Sequence, residues 1–94
     1  MVAWGLVSKD ELKIGGETRE YASSEHGRRH FCPKCGSGLF YTSEVIFPGQ
    51  IDVQLATLDD PNAVVPTVQI QLADRIGWMD CLGEMRRFDR YPSA

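Results

Sequence analysis

The sequence predicts a small all-β domain, and three observations carry that expectation. Two runs alternate apolar and polar residues: Ile51, Val53 and Leu55 enclose Asp52 and Gln54, while Val68, Ile70 and Leu72 enclose Gln69 and Gln71. Alternation of this kind marks half-buried strands, because successive side chains leave a strand on opposite faces. Both runs are bounded by breakers, Pro48-Gly49 and Asp59-Asp60-Pro61-Asn62 around the first and Pro66 before the second. Finally, no segment sustains the period of an amphipathic helix.

The remaining elements are taken in chain order. Trp4 to Val7 and Leu12 to Ile14 read as short strands, with Gly15-Gly16 as a turn. Tyr21 to Ser24 and Leu39 to Thr42 are further strands, separated by a cysteine-bearing turn. The total of five to seven short strands with turn signals between them is an all-β pattern. Single helical turns are expected near Asp60–Ala63 and Leu82–Arg86. No repeat or linker interrupts the chain, and its 94 residues predict one domain spanning 1–94. A domain of this size has a thin core, so a metal, disulfides or a partner subunit often supports it.

Composition narrows the function. Ten Lys and Arg against 13 Asp and Glu give a net charge of −3 and a pI near 5.2, which argues against nucleic acid or an anionic membrane as partner. Two basic clusters, Arg28-Arg29-His30 and Arg86, Arg87 and Arg90, read as solvated surface. No apolar run approaches the ~20 residues of a membrane helix. Met1-Val2-Ala3-Trp4-Gly5 lacks the pattern of a secretion signal, so a cytoplasmic protein is expected.

Cys32, Cys35 and Cys81 are an odd number at unlike spacings, which makes a poor disulfide framework. The sharpest local signal is His30-Phe31-Cys32-Pro33-Lys34-Cys35-Gly36, which matches a zinc knuckle. Cys-x-x-Cys spacing lets both sulfurs face one ion, and two thiolates are soft donors suited to zinc. Gly36 fits because the turn round the second sulfur often needs a positive φ. Cys32 and Cys35 are therefore the candidate metal ligands, yet a structural zinc takes four. His26, His30 and Cys81 are the remaining donors, but His30 also reads as a hydrogen-bonded residue and Cys81 as a small buried thiol. Free thiols, a disulfide and a redox dithiol compete with zinc at this pair. The helix that lowers the first thiol's pKa in redox pairs is not expected here, because Gly36-Ser37-Gly38 and a β-like run come next, which disfavours redox catalysis. Zinc, in an incomplete site, is the preferred cofactor.

Five stretches, in one order, resemble the glutathione-dependent formaldehyde-activating enzyme family, which includes centromere protein V-like proteins. They are Trp4-Gly5-Leu6-Val7, Leu12-x-Ile14-x-Gly16 with Tyr21-x-Ser23-Ser24, Phe31-Cys32-Pro33-x-Cys35-Gly36-x-x-Leu39-x-Tyr41, Thr57-Leu58-Asp59-Asp60-Pro61, and Gln69-Ile70-x-Leu72-x-x-Arg75-x-x-Trp78. The resemblance implies a β-tent, in which small twisted antiparallel sheets meet near a structural zinc held partly by the knuckle, here Cys32 and Cys35. It also implies carbon–sulfur lyase chemistry and a glutathione-type thiol ligand. The family's N-terminal strand, with two further zinc ligands, and its catalytic cysteine loop would both precede Met1. On that expectation the chain is an N-terminally truncated member without catalytic residues, and the sheet edge left open predicts a homodimer in which each chain covers the edge of the other. Two knuckles meeting across its axis would complete one four-cysteine site.

Other residues carry blander readings. Trp4, Trp78, Phe31, Phe40, Tyr21 and Tyr41 are expected to build the core rather than line a pocket. Asp59-Asp60-Pro61-Asn62 is ordinary turn chemistry. Arg75 could hold a ligand carboxylate, but a surface salt bridge is the safer account. Three functions are thus carried forward: a zinc-binding domain that is not catalytic as this chain stands, an active lyase or synthase on S-hydroxymethylglutathione-like adducts, and a protein-interaction module.

Overall fold

The computed structural model describes residues 1–92. Its regular structure is one antiparallel five-stranded sheet, so the chain is all-β as expected. The strands are β1 (Trp4–Ser8), β2 (Arg19–Ala22), β3 (Arg28–Phe31), β4 (Gly38–Thr42) and β5 (Gln50–Gln54), in the spatial order β1-β5-β4-β3-β2. Strands β2 to β5 form a meander, and β1 closes on β5 at the far side. Short 3₁₀ turns lie at Lys9–Glu11, Leu55–Thr57, Leu72–Asp74 and Gly77–Glu84.

That order explains one departure from the sequence pattern. β1 and β2 lie on opposite edges, so residues 9–18 must cross four inter-strand gaps, about 19 Å. Leu12 to Ile14, read above as a strand, is spent on that crossing and has no ladder to join. Lys9 anchors its start, donating from its backbone N–H to Gly49 O and pairing through its ammonium with Glu44.

The register sorts the side chains. Val7 pairs with Ile51, Val53 with Phe40, and Phe40 with His30, so these residues share one face. Phe40, Ile51 and Leu55 form the buried apolar core, and the His30 ring stacks on Phe40 with centroids 4.3 Å apart. Leu55 closes the end of this face over Gly5, where an added Cβ would lie 2.9 Å from Leu55 Cδ2. The other face carries Leu6, Asp52, Tyr41, Arg29 and Tyr21 in one row across all five strands. There the Arg29 guanidinium lies 5.5 Å from the Tyr41 ring centre, a cation–π contact.

β3 is not legible as a strand from sequence, because Arg-Arg-His-Phe has neither clean alternation nor strong β formers. Cross-strand partners place it instead. Arg28 donates to the carbonyls of Ser24, Glu25 and Gly27 and pairs with Glu20, so of the basic cluster only Arg29 is the exposed charge expected. Gly27 is buried at the turn before β3, and a Cβ there would meet Tyr41 Oη at 2.5 Å and Ser24 Oγ at 2.7 Å.

The largest correction concerns the C-terminal third. Val68 to Leu72 is not a strand: Val68 and Ile70 are 76% and 68% exposed, and Leu72 opens a 3₁₀ turn. Residues 59–92 contain no buried position among those described. The radius of gyration, 15.8 Å, exceeds the roughly 12 Å of a compact chain of this length. The aromatic core is also smaller than expected: Phe40 is buried, Trp4, Phe31 and Tyr41 are half-buried, and Tyr21 and Trp78 are exposed.

These features set two expectations for stability. Phe40→Ala is expected to cost about 3 kcal/mol, most of what so thin a core supplies, and urea denaturation monitored by tryptophan fluorescence measures it. Asp52 is half-buried with no cationic partner among the described residues, and that burial raises its carboxyl pKa above the ordinary value. A raised carboxylate pKa gives stability that is complete at acid pH and lost as pH rises through it. Asp52→Asn should therefore stabilise the chain at neutral pH, by under about 1 kcal/mol since solvent screens the site. The gain should vanish below about pH 3, where Asp is protonated in either state, as thermal melts at the two pH values would read.

Candidate metal centre

Cys32 and Cys35 lie in the turn that joins β3 to β4. Two backbone hydrogen bonds shape it, from Gly36 N–H to Cys32 O (2.9 Å) and from Cys32 N–H to Ser37 O (2.9 Å). Gly36 has φ +78°, the left-handed conformation expected of the residue after the second cysteine. The ladder is irregular just beneath the turn. His30 pairs with Phe40 but Phe31 pairs with Gly38, so Leu39 is the extra residue of a bulge. Bulges bend a strand and re-aim the residues next to them, and this one sets the angle at which the cysteines leave the sheet.

Both thiols are free, Cys32 half-buried and Cys35 exposed. The Cys35 thiol lies 3.2 Å from Ser37 Oγ. Hydrogen bonding to Ser37, through its hydroxyl and then its backbone, and to the Cys32 thiol holds the Cys35 pKa below the ordinary thiol value. In the thiolate form the Ser37 hydroxyl donates to sulfur, which favours the charged state. The sequence pattern does not single out Ser37. Its one signal is a hydroxyl two residues beyond the second cysteine, inside a turn tight enough to fold back on it.

The other donors do not gather here. His30 is held in the sheet by its stacking on Phe40, and its Nε2 lies 3.2 Å from Thr42 Oγ1. Burial lowers the His30 pKa, against an opposing pull from Glu20 and a lesser push from Lys9. The hydrogen-bonded reading of His30 is thus the one observed. His26 is beside Glu25, with Nε2 3.8 Å from Oε2, in a shallow cavity shared with Arg28, Thr42, Ser43 and Glu44. Cys81 lies in the 3₁₀ stretch Gly77–Glu84 and is exposed, not the buried thiol expected. A buried place needs neighbours packed over it, and none covers that stretch among the described residues. Nor, among them, is any group of three or more His, Cys, Asp or Glu side chains placed to hold a metal ion.

The donor chemistry of the turn nonetheless suits a thiophilic ion. Two soft sulfurs share one turn, the thiolate of Cys35 is favoured, and a zinc ion binds thiols in their deprotonated form. The pair fits half of a tetrahedral site. The blander readings elsewhere hold: Arg75 Nε lies 3.3 Å from Asp80 Oδ2 in an exposed salt bridge, and Asn62 N–H donates to Asp60 Oδ1 at 3.1 Å in the acidic turn. None of the helices among the described residues is long and apolar enough to cross a membrane.

Comparison with known proteins adds the family. No curated protein and no solved structure matches the chain. The model of the family described as glutathione-dependent formaldehyde-activating enzyme matches residues 1–74, which takes in all five strands and the cysteine turn. Arg75 and Trp78, the last residues of the resemblance, fall beyond that span. The match covers most of the sequence and contains the cysteine turn on which the site is built, and on that ground the chain belongs to the glutathione-dependent formaldehyde-activating enzyme family.

Proposed function

We propose that this chain is a zinc-binding domain of the formaldehyde-activating family that contributes two thiolates, Cys32 and Cys35, to a structural site shared between two copies. The observation that carries the reading is the pair of free thiols in one turn, with no third donor gathered beside them among the described residues. A two-thiolate half-site meets the four-ligand preference of structural zinc when two such halves come together. The bound ion would tie two knuckles and fix their angle to the sheet, a cross-link between thin domains rather than a reaction centre. On this reading the chain is a cytoplasmic homodimer without membrane or nucleic-acid partners, in keeping with its net charge of −3.

Catalysis is not assigned to the chain as it stands. A catalytic zinc keeps three protein ligands and one open position, whereas this chain offers Cys32 and Cys35 together and leaves His30 bonded to Thr42. The family match favours a second reading, an active lyase or synthase that joins a glutathione-type thiol to formaldehyde. In that reaction the sulfur–carbon bond forms and the thiol proton passes to the carbonyl oxygen.

Elemental analysis of protein purified without chelator is expected to find half a zinc per chain. Cys32→Ser and Cys35→Ser should each abolish it, and Cys81→Ser should leave it unchanged. One zinc per chain would overturn the shared site. Addition of the purified chain to glutathione and formaldehyde is expected to leave the rate of adduct formation at the uncatalysed level; acceleration lost in Cys35→Ser would establish the lyase reading instead.

A further inference from the structure

The apolar alternation of Val68, Ile70 and Leu72 is the strongest strand signal that the fold leaves unused. Residues 64–70 make no backbone–backbone hydrogen bond among those described, although they carry free donors and acceptors. Their large apolar side chains are turned to water: Val65, Val68 and Ile70 are 74%, 76% and 68% exposed. The segment ends at Gln71, whose φ of +58° and ψ of +33° place a non-glycine residue in the left-handed region. That conformation costs an ordinary residue about 1 kcal/mol or more. Unpaired backbone, exposed apolar alternation and local strain therefore coincide on one short stretch.

The sheet offers two free edges, and they differ in charge. β2 presents Arg19 and Glu20, and charged side chains on an edge discourage pairing. β1 reads Trp4-Gly5-Leu6-Val7-Ser8, carries no charge and bonds to β5 alone among the described strands. Thr67 to Leu72 is equally uncharged. Val68, Ile70 and Leu72 added beside β1 would extend the apolar face that Val7 and Ile51 already share.

We infer that Thr67–Leu72 is an exchange strand, which pairs with the free edge of β1 in a second copy of this chain. Each copy owns a segment unpaired through Ile70, followed by one 3₁₀ turn at Gln71 and Leu72 that pairing would open. Each also owns one unpaired uncharged edge, so two copies satisfy each other about a two-fold axis and the assembly closes. Pairing as a strand also returns Gln71 to extended backbone and relieves its strain. The inference deepens the homodimer proposed above and rests on that part of it, but needs no metal.

The test is sedimentation velocity of the full chain over a wide concentration range, with and without chelator, together with amide hydrogen exchange. The expected result is a dimer that survives chelation. In it, exchange at Val68–Leu72 and along β1 should slow at least about tenfold as concentration rises through the dimerisation range. Gln69→Pro removes a ladder donor where the single chain uses none, and should return the protein to monomer with its circular dichroism unchanged. Gln71→Gly relieves the left-handed strain without pairing, and should weaken the dimer. A dimer that chelator splits, with 67–72 unprotected, overturns the exchange strand while leaving the shared zinc intact. Protection of 67–72 that does not vary with concentration overturns it too, since the segment would then pair within its own chain.

Discussion

Phe40 sits where the structure has least to spare. It lies on the central strand β4, pairs with Val53 on one side and His30 on the other, and is one of three buried apolar side chains among the described residues. An aromatic ring buries more area than any aliphatic neighbour can, so in a core of three its contribution dominates. The stacking of His30 on that ring has a chemical consequence as well. An imidazole packed on Phe40 and bonded to Thr42 is held by the sheet, although it stands only two residues before Cys32 in the sequence.

The cysteine turn depends on the same sheet by a different route. Its geometry comes from the bulge at Leu39, which lets β3 and β4 remain paired above Phe40 while the chain beyond them turns through Gly36. Ser37 then serves twice, with its carbonyl closing the turn on Cys32 N–H and its hydroxyl meeting the Cys35 thiol. The turn therefore arrives preorganised, with one sulfur already biased toward the thiolate form that a metal or an electrophile needs.

Much of the fold is legible in the residues alone. Trp4–Val7, Leu39–Thr42 and Ile51–Leu55 mark β1, β4 and β5 closely, and Tyr21–Ser24 overlaps β2. These stretches are hydrophobic or alternating, and local pattern there matches tertiary placement. β3 escapes because its residues are charged and its place is set by Glu20, Tyr41 and Phe40 across the ladder. Leu12–Ile14 misleads for the converse reason: its alternation falls in the crossover between the two sheet edges, where no strand lies beside it. Val68–Leu72 misleads most, since alternation reports a segment able to pair, whereas pairing requires an edge within reach.

The sequence by itself determined the class of fold, the family and the presence of a tight turn that carries Cys32 and Cys35. Period-two patterning, a tight Cys-x-x-Cys-Gly and ordered motifs are properties of near neighbours along the chain, and near neighbours are what local physics reads. Tertiary structure alone decided that His30 belongs to Phe40 and Thr42, that Cys81 stands exposed, that Asp52 is partly desolvated, and that the C-terminal alternation is left without a ladder. Each of those depends on which strand lies beside which. Strand order comes from hydrogen bonds and packing between residues distant in sequence, and no local pattern encodes it.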